Sequence, residues 1–173
     1  MADSKEVIEA RENANDREFF KKCVKTMPLL IEWANDEIRD DKEILLDAVK
    51  VDGGALEFSS ERLKDDKDVV LAAVSQAAWT GCYASERLIG DKDVILEAVK
   101  NDGQVLYYAS EELRDDKDVV MAAVKNKPII LKYASLRLRQ DKDVAIAAVS
   151  SGKKAFEFVS PELKKDEDIL KLV

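Results

Sequence analysis

The chain has 173 residues, 46% of them apolar and 37% charged, which suits one domain-sized core and argues against disorder. Its 28 basic and 36 acidic residues leave a net charge of −8, which argues against a duplex-binding or membrane-surface protein. Histidine is absent, which removes the commonest general base and metal ligand near neutral pH, and no apolar run approaches the length of a membrane span.

The first 15 residues are strongly charged and read as a polar N-terminal capping helix. From Asp16 onward the chain repeats. An Asp recurs at 16, 41, 66, 91, 116, 141 and 166, always 25 residues apart. Residues 16–165 are therefore six tandem units, and 166–173 start a seventh, read either as a C-terminal cap or as the cut end of a longer array.

Each unit opens with a helix. Its Asp suits the N-cap, and an acid two residues on (Glu18, Glu43, Asp68, Asp93, Asp118, Asp143, Asp168) meets the positive end of the helix dipole. A wide apolar stripe follows, as in Val69, Val70, Leu71, Ala73 and Val74, which predicts burial on most of the helix circumference. Pro28, Gly53, Gly103, Pro128 and Gly152 then mark a turn. A shorter second helix carries one aromatic per unit: Trp33, Phe58, Tyr83, Tyr108, Tyr133 and Phe158. Two residues later stands a cap former, Asn35, Ser60, Ser85, Ser110, Ser135 or Ser160, and three residues beyond it Ile38 or a leucine. That spacing predicts a one-turn helix. Units of long helix, short helix and one-turn helix cannot bury their apolar faces alone. The expected fold is an all-α solenoid of stacked 25-residue repeats, of either hand.

The unit "DKDVILEAVKNDGQVLYYASEELRD" (91–115) resembles a short repeat family of bacterial and protist proteins catalogued as a domain of unknown function. That family's pattern is D-K-E-V-V-L-x-A-V-K, a polar turn, then a-L-x-Y-A-S-x-x-L-R, and the likeness runs over about residues 16–173. The resemblance implies a helical repeat domain and carries over no activity. The first unit departs from the pattern at Arg17, Phe19 and Cys23, and the third at Gly81.

The acid clusters invite a metal-site or carboxylate-pair reading. They lack the EF-hand ligand spacing and recur in every unit, so capping accounts for them. The aromatic column invites a reading as a stacking platform for single-stranded nucleic acid; its phase and the acidic balance favour core packing. Cys82 has no histidine to activate it, and Cys23 is far from it without CxxC spacing, as free thiols of an intracellular, cytoplasmic chain would be.

Two positions vary in chemical class: Leu29, Gly54, Trp79, Gln104, Ile129 and Lys154, and, three residues on, Glu32, Glu57, Cys82, Tyr107, Lys132 and Glu157. Three-residue spacing puts both on one helix face. Trp79, Cys82, Tyr107, Ile129 and Lys132 are the expected partner-binding residues, with Trp and Tyr as anchors. For Trp79 a second reading stands, in which the indole turns inward to fill the space left by Gly81. Tyr107 is expected to be exposed, because Tyr108 takes the core column.

The expected function is a non-catalytic scaffold for a protein or peptide, without cofactor, metal, nucleic acid or membrane. The alternatives are an acidic inhibitor or decoy that occupies a basic surface, and a structural segment of a larger repeat protein. The oligomeric state stays open.

Overall fold

The computed structural model describes residues 4–173. Among them no strand occurs, and the fold is an all-α repeat solenoid. The α-helices are α1 (Lys5–Glu12), α2 (Arg17–Cys23), α3 (Asp36–Arg39), α4 (Lys42–Val51), α5 (Glu61–Lys64), α6 (Lys67–Gln76), α7 (Glu86–Ile89), α8 (Lys92–Asn101), α9 (Glu111–Arg114), α10 (Lys117–Asn126), α11 (Leu136–Arg139), α12 (Lys142–Ser151) and α13 (Glu167–Leu170). Between them lie six repeating 3-10 segments, Pro28–Trp33, Gly53–Phe58, Ala78–Tyr83, Gly103–Tyr107, Pro128–Tyr133 and Lys153–Phe158, and a seventh, Leu163–Lys165, takes the place of the last one-turn helix.

The repeating Asp starts each long helix by local chemistry. Asp116 Oδ1 accepts from the backbone N–H of Asp118 at 3.0 Å and of Val119 at 3.1 Å, and Asp41, Asp66, Asp91, Asp141 and Asp166 do the same for their own helices. The long helices α4, α6, α8 and α12 each end on one extended residue, Asp52, Ala77, Asp102 or Gly152. The Asp52 and Asp102 carboxylates accept from the N–H two positions on, at 2.8 Å from Gly54 and 2.9 Å from Gln104, and so start the next turn. From α4 onward a single residue connects each long helix to its 3-10 segment.

The second helix of each unit is a 3-10 helix rather than the expected short α-helix, and Pro28, Gly53, Gly103 and Pro128 are its first residues rather than a free turn. No described residue has a positive φ, so these glycines do not serve a left-handed turn. They serve close approach. A Cβ on Gly53 would lie 2.5 Å from the Ala73 carbonyl oxygen, and one on Gly103 would lie 2.5 Å from that of Ala123.

Backbone contacts divide the chain into two compact units, with the boundary between Leu88 and Ile89. In the first, α4 packs on α6 with the 53–58 segment against both, and α1 covers the 28–33 segment. Its core includes Phe20, Ile31, Ile44, Leu45, Leu56 and Leu63, all fully buried. In the second, α8, α10 and α12 lie side by side, the 3-10 segments stack in sequence, and α13 meets α12. Val119, Val120, Leu106, Leu131, Leu138 and Ile169 fill that core. Each fully buried Leu or Ile contributes about 1.5–3 kcal/mol relative to exposure. The small residue before the last valine, Ala48, Ala73 or Ala123, is also fully buried, which lets neighbouring helices close up.

Candidate interaction face

A 3-10 helix has three residues per turn, so side chains three apart eclipse and each segment presents three rows. The row Pro28, Ile31, Ala34 points inward and is buried; Gly53, Leu56 and Ser59 repeat it, as do Gly103, Leu106 and Ala109. The second row pairs a buried residue with the aromatic: Leu30 with Trp33, Ala55 with Phe58, Ile130 with Tyr133. The third row points outward.

The aromatic column is partly buried, with Tyr133 and Phe158 packed against the core, and the expectation of core packing is corrected at Tyr108. None of its six rings is fully buried, and Tyr108, expected in the core, is 70% exposed. At three residues per turn each aromatic eclipses the residue three before it, so Trp33, Phe58 and Tyr133 lie beside buried residues at the rim of the core, whereas Tyr108 follows the half-buried Val105. Around Tyr108 the neighbouring Tyr107 ring sits edge-on, 4.7 Å away, and is itself 4.7 Å from Tyr133.

The third row holds the two class-varying positions, and all five expected partner-binding residues are exposed. In the first unit Trp79 is 58% exposed, so the indole does not turn in toward Gly81. The fully buried Thr80 lies in this segment, its hydroxyl donating to the Ala77 carbonyl oxygen at 2.7 Å. A Cβ built at Gly54 would meet the Trp79 ring at 3.5 Å and Leu29 at 3.7 Å, so those two apolar side chains close over Gly54. Trp79 also stands edge-on to Tyr83, with ring centroids 5.8 Å apart. The nearby Glu57 carboxylate raises the pKa of the Tyr83 phenol, and partial burial adds to the shift. Cys82 is exposed, three residues beyond Trp79 in the same row.

In the second unit Tyr107 is 49% and Ile129 39% exposed. Lys132 lies over the Tyr133 ring, its ammonium 4.7 Å from the centroid. Tyr133 thus brings Tyr107 and Lys132 together. Leu29 and Glu57 belong to the class-varying positions and Tyr83 and Tyr133 to the aromatic column, but none was placed beside Trp79 or Tyr107, although their regular offset was a usable signal.

Charge divides the same way. The three 3-10 segments of the first unit hold Glu32 and Glu57 and no base, whereas those of the second hold Lys132, Lys153 and Lys154 against Glu157. Residues 1–88 carry 20 acids and 13 bases; residues 89–173 carry 16 and 15.

The acid clusters are engaged with the scaffold. Lys117 donates to Asp141 and Asp143, both at 2.8 Å; Lys92 reaches Asp116 and Asp118, Lys142 reaches Asp166 and Asp168, and Lys42 reaches Asp66 and Asp68. Arg17 does this for Asp41 and Glu43, at 2.7 and 2.8 Å. Burial pushes the Asp116 carboxyl up, but Lys92 and the backbone N–H groups of the helix start outweigh it, so its pKa ends below the usual value. Hydrogen bonds from Lys21 and Arg17 bring Glu43 down to about 2. Among the described residues no three such side chains form a group suited to a metal.

A second ladder ties one-turn helices together. Asp40 accepts from the Ser60 hydroxyl and from Arg62 Nε at 3.0 Å; Asp65 with Ser85 and Arg87, and Asp115 with Ser135 and Arg137, repeat the clamp. Gly90 and Gln140 stand where the clamp has its acid, and Glu112 and Glu162 where it has its arginine. Among the described residues no helix is long and apolar enough to cross a membrane.

No curated protein and no solved structure matches the chain. One family model matches in four overlapping stretches, residues 16–63, 41–89, 91–139 and 116–164, each about two repeats long. With most of the sequence covered and the helices in register, the chain belongs to the family described as Domain of unknown function (DUF4116).

Proposed function

We propose that the chain is a non-catalytic scaffold that binds a protein or peptide on the outward row of its 3-10 segments. One observation carries this reading. The capping and most core positions repeat from unit to unit, while the outward row changes chemical class and exposes Trp79, Tyr107 and Ile129. Large apolar anchors on a rigid, pre-organised surface suit binding at low entropic cost. The repeated acids, bound up in caps and lysine bridges, offer a partner little that the fold does not already use.

The test is affinity purification from the native source with the wild-type chain, with Trp79→Ala, and with Tyr107→Ala/Ile129→Ala. Partners lost from a variant that keeps its circular dichroism support the reading, and each variant assigns its own unit. Unchanged partners with both variants sink it. A decoy that works through its acids would instead lose its partner steeply with salt and keep it in both variants.

A further inference from the structure

Two rings of the aromatic column are covered by the chain's own cations. The Arg11 guanidinium of α1 lies 3.9 Å from the Trp33 ring centroid, and the Lys132 ammonium lies 4.7 Å from that of Tyr133. Tyr83 occupies the same column but has different neighbours. Its ring meets Trp79 at 75° between planes, which makes a two-walled aromatic corner, and the Glu57 carboxylate is near enough to act on its phenol. Among the described residues no cation stands over either ring. Glu57 and Trp79 are both exposed, and the 3-10 segments of this unit contain no base. An aromatic corner beside a carboxylate, on a unit with 20 acids to 13 bases, is complementary to a planar cation.

We infer that Trp79, Tyr83 and Glu57 form a recognition corner for an arginine in a basic peptide segment of a partner protein. The guanidinium stacks against the indole as Arg11 does on Trp33, and its N–H groups donate to the Glu57 carboxylate. Leu29, beside Trp79 over Gly54, receives the apolar residues that flank the arginine. This deepens the proposed scaffold function and rests on it.

The experiment pans a library of short random peptides displayed on phage against the full chain, then titrates the enriched peptides by calorimetry. Enriched sequences carry arginine, and replacing that arginine with neutral citrulline weakens binding about tenfold or more. Trp79→Ala and Glu57→Gln each cost about the same factor, while Trp79→Phe, which keeps a π face, costs less. Unchanged thermal melts show that the variants fold; Trp79→Phe and Glu57→Gln carry the test if Trp79→Ala does not. Enriched peptides without a base, or peptides that bind Trp79→Phe and Glu57→Gln as they bind wild type, overturn the arginine corner and leave the scaffold reading standing. If nothing is enriched above a helical control protein, both fall.

Discussion

In the first unit the outward row reads Leu29, Glu32, Gly54, Glu57, Trp79 and Cys82; in the second it reads Gln104, Tyr107, Ile129, Lys132, Lys154 and Glu157. The row beneath them hardly differs, with Ile31 and Leu56 in one unit and Leu106 and Leu131 in the other, all fully buried. The same backbone therefore supports an acidic, tryptophan-bearing surface in one place and a basic, tyrosine-bearing surface in another. Packing fixes the inner rows because each side chain must fill a set volume. The buried Gly54 apart, the outer row is exposed and meets no such demand, so its chemistry is free to vary.

The comparison breaks first if the inner rows are not equivalent. Leu63 and Leu138 are fully buried at matching positions, so Leu63→Ala and Leu138→Ala are each expected to cost about 2–5 kcal/mol in urea unfolding. A large gap between the two costs would show that the units pack differently. Next come the close-approach glycines: Gly53→Ala and Gly103→Ala push a methyl against a backbone carbonyl and are each expected to cost about 1–3 kcal/mol. The caps come third, with Asp66→Ala and Asp116→Ala each expected to cost about 1 kcal/mol.

Acid sharpens the same point. Asp66, Asp116, Asp141 and Glu43 titrate lower in the folded chain than in the unfolded one, so their contribution is full above the unfolded pKa and is lost as pH falls. The melting temperature should hold steady from about pH 8 to 5, there being no histidine, then drop below about pH 4 toward pH 2. A fall that began near pH 6 would contradict this assignment. The smallest effects belong to the outer row: Trp79→Ala and Tyr107→Ala should change stability by no more than about 0.5 kcal/mol, while removing partner binding.

The register, the helix starts and the apolar stripe of the long helices were legible in the sequence, because capping and the 3.6-residue period are local rules. The exposed outer row was legible too, since three-residue spacing shares a face in either helix type. The exposure of Tyr108 within the aromatic column was not. Whether Tyr108 faces in or out depends on the segment winding at three residues per turn, and no residue in "GQVLY" announces that choice. The lysine bridges were also hidden, since Lys117 and Asp143 meet only after two long helices lie side by side.

The Asp–Ser–Arg clamp has a further consequence. Asp40, Asp65 and Asp115 are each followed, 22 residues on, by Arg62, Arg87 and Arg137, whereas Gly90 and Gln140 are followed by Glu112 and Glu162. A donor group and its acceptor thus occur as a matched pair that straddles two adjacent repeats. Shuffling repeats would place Asp before Glu, or Gly before Arg, and set like charges together or leave a fork without its carboxylate. The repeats are alike in shape but not interchangeable: the array has a word order, and its spelling is carried at the seams.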